Sequence, residues 1–137
     1  MNISARCEYG YLAVLELAGN LPSDEPLTVE TIAVRRNIPE KFLVHVLLQL
    51  KRTGIVRSVR GSKGGYLLGR PPEAVSLLDI VEAIEGPVLK SSSAGSAHPG
   101  NPDPVWAEAA TAIGGVLSGI TIRDGLDKAV AGAMYYI

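Results

Sequence analysis

Aromatic residues are scarce in this 137-residue chain, and Cys7 is its single cysteine. One thiol excludes an internal disulfide framework and any centre built wholly from clustered cysteines of one chain. With aromatics at 5% against 47% hydrophobic residues overall, the core must come from Leu, Val, Ile and Ala, which suits helices. No segment approaches the length that crosses a bilayer, and Met1-Asn2-Ile3-Ser4-Ala5-Arg6 lacks the apolar run and cleavage site of an export signal. The expectation is a cytoplasmic protein with no membrane partner. Its length fits one domain, or a compact domain with a dimerisation arm, and its hydrophobic surplus points to a partner subunit.

Net charge is also small, at −1, but the average conceals an asymmetry. Residues 35–70 carry nine cations against Glu40 alone, a balance of +8, whereas residues 71–137 carry three cations against eight acids, a balance of −5. Such a split suits a polyanion-facing surface opposed to one that is not. Charge alone leaves an ordinary solvated surface equally open.

What is present reads as a run of helices interrupted by one hairpin. Ser4 can cap a helix over 4–18, and Gly19-Asn20-Leu21-Pro22 ends it. Thr28 caps a short helix over 29–36. Asn37 followed three residues later by Glu40 has the form of a capping box, with Pro39 in the first turn, so a third helix is expected to about Thr53, stopped by Gly54. On it Phe42, Leu43, Val46, Leu47 and Leu50 share one face, and Lys41, His45, Leu48 and Arg52 lie opposite, with Val44 at the flank. A short helix, a tight turn and a longer helix with a polar outer stripe is helix-turn-helix geometry.

Ile55-Val56-Arg57-Ser58-Val59-Arg60 alternates as a strand, Gly61-Ser62-Lys63-Gly64-Gly65 turns, and Tyr66-Leu67-Leu68 returns. A hairpin after the second helix of such a motif is a wing, placing Arg60, Ser62 and Lys63 where phosphates or a minor groove would lie. Ser76 caps a fourth helix to about Glu85, and Gly86-Pro87 ends it. Residues 90–104 are rich in Ser, Gly and Pro, which implies a loop. A long helix is expected over 104–120, with Trp106, Ala109, Ala110, Ile113, Val116, Leu117 and Ile120 on one stripe. Gly114 and Gly115 cost it about 1 kcal/mol each in propensity, so packing must support it.

The stretches Leu50–Val56, Ser58–Tyr66 and Leu78–Gly86, in this order, closely resemble the Rrf-two family of bacterial winged helix-turn-helix transcriptional regulators. That family includes iron-sulfur-cluster, nitric-oxide-sensing and cysteine-metabolism regulators. The resemblance covers residues 1–90 and extends to Trp106–Asp124, which is similar to the family's dimerisation helix. It implies a mainly α fold with a two-stranded β wing: a DNA-binding domain over 1–87, a flexible loop over 88–103, and a dimerisation helix with a C-terminal tail over 104–137. It further implies a homodimer on double-stranded DNA at a partly palindromic operator. By motif, Pro39, Lys41, Val44 and His45 would read the major groove and Arg60 the minor groove; Thr28, Arg57, Ser62 and Lys63 complete the DNA-binding set. Val44 stands where some relatives carry a polar reader, and a valine can touch a thymine methyl but cannot hydrogen-bond a base.

The departure concerns sensing. Cluster-binding relatives have three cysteines in the loop that here reads Lys90-Ser91-Ser92-Ser93-Ala94-Gly95-Ser96-Ala97-His98, and hydroxyls replace thiolates poorly, so no iron-sulfur cluster and no metal are expected. Cys7, Glu8 and His98 remain candidates for an unusual metal site, against the plainer reading of a small buried hydrophobe, a solvated helix residue and a loop histidine. Three classes of function follow: a cluster-free DNA-binding repressor; a module governed by, or binding chiefly, a regulatory protein or small ligand; and an enzyme using Ser91–Ser93 with His98. The last has no orienting scaffold for triad logic, so the chain is read as a non-enzyme.

Overall fold

In the computed structural model, residues 3–89 and 104–135 are described, and the fold is mainly helical. Helix α1 (Ala5–Gly19) starts where the Ser4 hydroxyl accepts the Cys7 amide, and it is buried on several sides through Cys7, Gly10, Ala13, Val14, Leu15, Leu17 and Ala18. This suits a central helix, and α1 is the element the others pack around. Helix α2 (Val29–Arg36) is capped by Thr28, whose hydroxyl accepts the Thr31 amide.

The turn into α3 (Glu40–Arg52) differs from the expected capping box. Asn37 closes α2 instead, in the left-handed conformation at φ 52°, and Pro39 is the residue before α3 and makes no side-chain cap. Asparagine tolerates that conformation better than most residues, and once it serves as a left-handed stop it is not placed to cap the next helix. On α3, Leu43, Val46, Leu47 and Leu50 are fully buried, but Phe42 is 48% exposed and lies off the core face to which the spacing assigned it.

Strands β1 (Val56–Val59) and β2 (Gly65–Leu68) pair antiparallel, with Val56 opposite Leu68 and Val59 opposite Gly65. The hairpin is tied back to the loop before α2, because Leu27 and Tyr66 exchange both backbone hydrogen bonds, at 3.0 and 2.7 Å. Gly65 makes this possible: its φ is 153°, and a Cβ there would collide with the Leu27 carbonyl. The wing is therefore held at a fixed position beside the helix-turn-helix.

A 3-10 turn (Pro72–Ala74) leads to α4 (Leu77–Glu85), where Ser76 and Asp79 form a reciprocal capping box. Beyond it the helix expected over 104–120 is α5 (Pro104–Ser118), and the expected C-terminal tail holds a further helix, α6 (Ile122–Tyr135). The signal for α6 was in the sequence, since Thr121 and Asp124 cap each other's amides at 3.2 and 2.8 Å, a Thr-x-x-Asp box. Between α5 and α6 the chain runs extended beside residues 75–77, with Leu77 donating to the Ile120 carbonyl and Ile122 to that of Val75, and Ile122 is fully buried in the main core. The expected stripe on α5 also divides. Ile113 and Leu117 are half-buried toward α4 and α1, whereas Val105, Trp106, Val116 and Ile120 are exposed. A Cβ at Gly114 or Gly115 would meet only open space, so no close approach within the described residues requires these glycines.

Candidate nucleic-acid interface

The nine cations of residues 35–70 fall into two groups once their partners are known. Arg35 and Arg36 both pair with Glu16 of α1, at 3.2 and 2.9 Å, and Arg70 reaches Asp79 at 3.6 Å and the Ala74 carbonyl at 3.5 Å. These three neutralise acids of the same chain. Lys41, Lys51, Arg52, Arg57, Arg60 and Lys63 are exposed and make no ion pair or side-chain hydrogen bond among the described residues. Six uncompensated cations on one helix and one hairpin constitute a surface for a polyanion, with counterion release as the driving term.

All nine residues proposed from the sequence as DNA contacts are exposed. Helix α3 carries Lys41, Val44 and His45 near its N-terminal end, with Pro39 just before it, and the hairpin carries Arg57, Arg60, Ser62 and Lys63. Thr28 stands apart because its hydroxyl is already used, accepting the Thr31 amide at 3.1 Å and lying 2.9 Å from the Thr31 hydroxyl. It also starts α2. Two residues absent from that set join the surface: Phe42, through its exposure, and Leu48, at 42%. Leu48, one turn from Val44, makes with it an apolar strip suited to thymine methyl groups, whereas Phe42 lies on the opposite flank of α3. Phe42 was missed because an aromatic residue at helical spacing reads as core.

Support for α3 is strong where it must not move. Gln49 accepts from Arg6 of α1 at 2.9 Å and donates to the Ile84 carbonyl of α4 at 3.3 Å, so three helices are joined at one side chain. Gly10 lets α1 lie close against Ile80, Ile84 and Val46.

The remaining candidates are Cys7, Glu8 and His98; His98 and Ser91–Ser93 lie outside the described residues. Cys7 is 5% exposed, and burial pushes its thiol above the usual range, with the Glu85 carboxylate beside it adding to the effect and a hydrogen bond with Ser4 partly opposing it. Its Sγ lies 3.8 Å from Glu85, and Ser4 also donates to that carboxylate. Glu8 is exposed. Among the described residues no group of three or more His, Cys, Asp or Glu is arranged to hold a metal ion, and no helix is long and apolar enough to cross a membrane.

A family model described as "Rrf2: Iron-dependent Transcriptional regulator" matches residues 3–128. The chain belongs to this family. Among relatives, CymR of Bacillus subtilis, an HTH-type transcriptional regulator, is 32% identical over 124 residues, covering 90% of this chain and 88% of the relative. A Rhodobacter capsulatus sequence named as an rrf2-like HTH-type transcriptional regulator is 43% identical over 88 residues, but that match spans only 59% of the relative's length. The solved structure of B. subtilis CymR, the global cysteine regulator, matches with a TM-score of 0.75 and 29% identity, covering 93% of this chain and 98% of that one; T. potens IscR gives 0.73 and 31%, covering 94% and 88%. The fold is thus the winged-helix fold of DNA-binding transcriptional regulators. Family membership favours a reader of DNA over a module that binds chiefly another protein. The family description names iron, but one buried thiol with a raised pKa, hydrogen-bonded to a carboxylate, does not fit an iron-sulfur cluster.

Proposed function

We propose that the protein is a cytoplasmic, homodimeric repressor that binds a partly palindromic operator, setting α3 of each copy in a major groove and each wing against the adjacent minor groove. The observation that carries this reading is the division of the nine cations: the six without partners among the described residues lie on α3 and the wing, and the three that are paired lie elsewhere. Lys41 and His45 would meet base edges or phosphates, Val44 a thymine methyl, Arg60 the minor groove, and Arg57, Ser62 and Lys63 the flanking backbone. The exposed apolar face of α5, with Val105, Trp106 and Val116, supports pairing through α5. The protein works without a family-type cluster, and no catalytic role is assigned to it.

Footprinting on the promoter region beside its own gene, together with an absorption spectrum of freshly isolated protein, tests this reading. Expected are two protected half-sites about one helical turn apart, affinity that falls steeply with salt, and no visible absorption. Affinity that is indifferent to salt would remove the DNA assignment, and a chromophore bound in stoichiometric amount would remove the cluster-free one.

A further inference from the structure

A cavity of about 730 Å³ lies between the N-terminal end of α1, α4 and the inner face of α5, well apart from the candidate DNA surface. Its walls are mostly apolar, from Leu77, Ile80 and Val81 on one side and Ile113 and Leu117 on the other. That volume is within the range of small-molecule sites, which combine an apolar enclosure with a few convergent polar groups.

The polar groups here share one sign. Glu85 and Glu8 both line the cavity, and among the described residues no lysine, arginine or histidine does. Ser4 and Cys7 donate to Oε1 of Glu85, and its Oε2 has no partner among the described residues. Tyr11 lines the same cavity. A carboxylate oxygen left open in a mostly apolar cavity selects for positive charge on an apolar body.

We propose that this cavity is an effector site for a small aromatic or aliphatic cation, whose occupancy alters the DNA-binding state of α3. The regulatory half rests on the proposed function above; the binding half does not. Coupling follows from the architecture. Glu85 adjoins Ile84, whose carbonyl accepts from Gln49 of α3, and Cys7 adjoins Arg6, which donates to the same glutamine. A ligand that separates α1 from α4 therefore acts on both hydrogen bonds of one side chain in the reading helix. Differential affinity for two arrangements of α1 and α4 is all that a shift in DNA binding requires.

The test uses two ions of matched shape and opposite charge, tetraphenylphosphonium and tetraphenylborate, titrated calorimetrically into the full-length protein without DNA. Expected is saturable binding of the phosphonium at one site per chain, weakened about tenfold by Glu85→Gln as a favourable charge contact is lost, and weakened also by Val81→Phe, which narrows the cavity. The borate should not compete. Absence of saturable phosphonium binding, equal binding of both ions, or binding unchanged by both substitutions would each overturn the site; the first is also the result expected if a second copy of the chain fills the cavity. A parallel DNA titration separates the two halves: phosphonium binding with unaltered DNA affinity overturns the regulatory role, and phosphonium binding by a protein that never binds DNA overturns the proposed function while leaving the site.

Discussion

Helices α3 and α5 differ by two residues in length and behave oppositely. On α3 the apolar face is completed within the chain, with Leu43, Val46, Leu47 and Leu50 at zero exposure, and the other face offers Lys41, Lys51 and Arg52 to solvent. On α5 no residue is buried, although Ile113 and Leu117 turn inward, and Trp106 and Val116 are each 66% exposed. The difference teaches what each lacks among the described residues: α3 a counter-charge, and the outer face of α5 an apolar partner. In the proposed dimer a polyanion would satisfy the first and a second copy of α5 the second, as the reading of a symmetric operator requires.

The largest effect should come from breaking α5. Val116→Asp sets a charge in the proposed seam once per copy, so the dimer carries it twice. Self-association should weaken by on the order of 3 kcal/mol or more, with operator affinity falling in step. Sedimentation at several protein concentrations measures this, and an unchanged dimer would move the seam off the Val105–Val116 face. Ile113→Asp should instead act inside one chain, because Ile113 faces the cavity beside α4.

Next in size is the core of α3. Leu47→Ala removes a fully buried side chain and should cost about 2–5 kcal/mol in denaturant unfolding. This loss should depend on protein concentration no more than the wild type does, since the cavity lies within one chain, whereas the loss from Val116→Asp should shrink as concentration rises. If both losses responded to concentration alike, the contrast between a completed and an incomplete helix would collapse.

The free and committed cations give a finer test. Arg60→Ala should weaken operator binding by about 1–2 kcal/mol and reduce the slope of log affinity against log salt by about 1. Arg36→Ala should leave that slope unchanged, because Arg36 is held by Glu16, and should cost at most about 1 kcal/mol of folding stability through loss of that partly exposed pair. Equal slopes for the two variants would mean that internal pairing does not decide which cations meet DNA.

That division was not legible in the sequence, and the reason is physical. Glu16 precedes Arg35 by nineteen residues and Asp79 follows Arg70 by nine, so only the folded chain reveals that these charges cancel. The periodic features were legible: the caps at Ser4, Thr28 and Ser76 occur as expected, and so do the buried face of α3, Phe42 apart, and the hairpin with its tip at Gly61–Gly64. Local side-chain chemistry failed where one residue had two possible uses. Asn37 can cap the helix that follows or stop the one that precedes, and its left-handed backbone chose the second. Phe42 satisfies the spacing of a core residue yet lies at the edge of the buried face. The stripe on α5 was too wide for one role, and periodicity gives the direction of an apolar face without saying what covers it.

The smallest effect concerns how the C-terminal part is fastened, far from either helix surface. Glu73, in the 3-10 turn, accepts from Arg123 of α6 at 3.0 Å. Its carboxyl is held below the ordinary range, first by a hydrogen bond from its own backbone amide and then by the arginine. Since the folded form binds its proton less readily than the unfolded form, the contribution is present above the usual carboxylate pKa and lost as pH falls through the lowered one. Both partners are exposed, so solvent screens the pair. Glu73→Gln should therefore leave the neutral-pH melting temperature within experimental error and slightly flatten the loss of stability on acidification, measured by thermal melts between pH 7 and pH 3. A large drop at neutral pH would mean that α6 depends on this contact rather than on the burial of Ile122, and the C-terminal helices would then be held by charge instead of by the core.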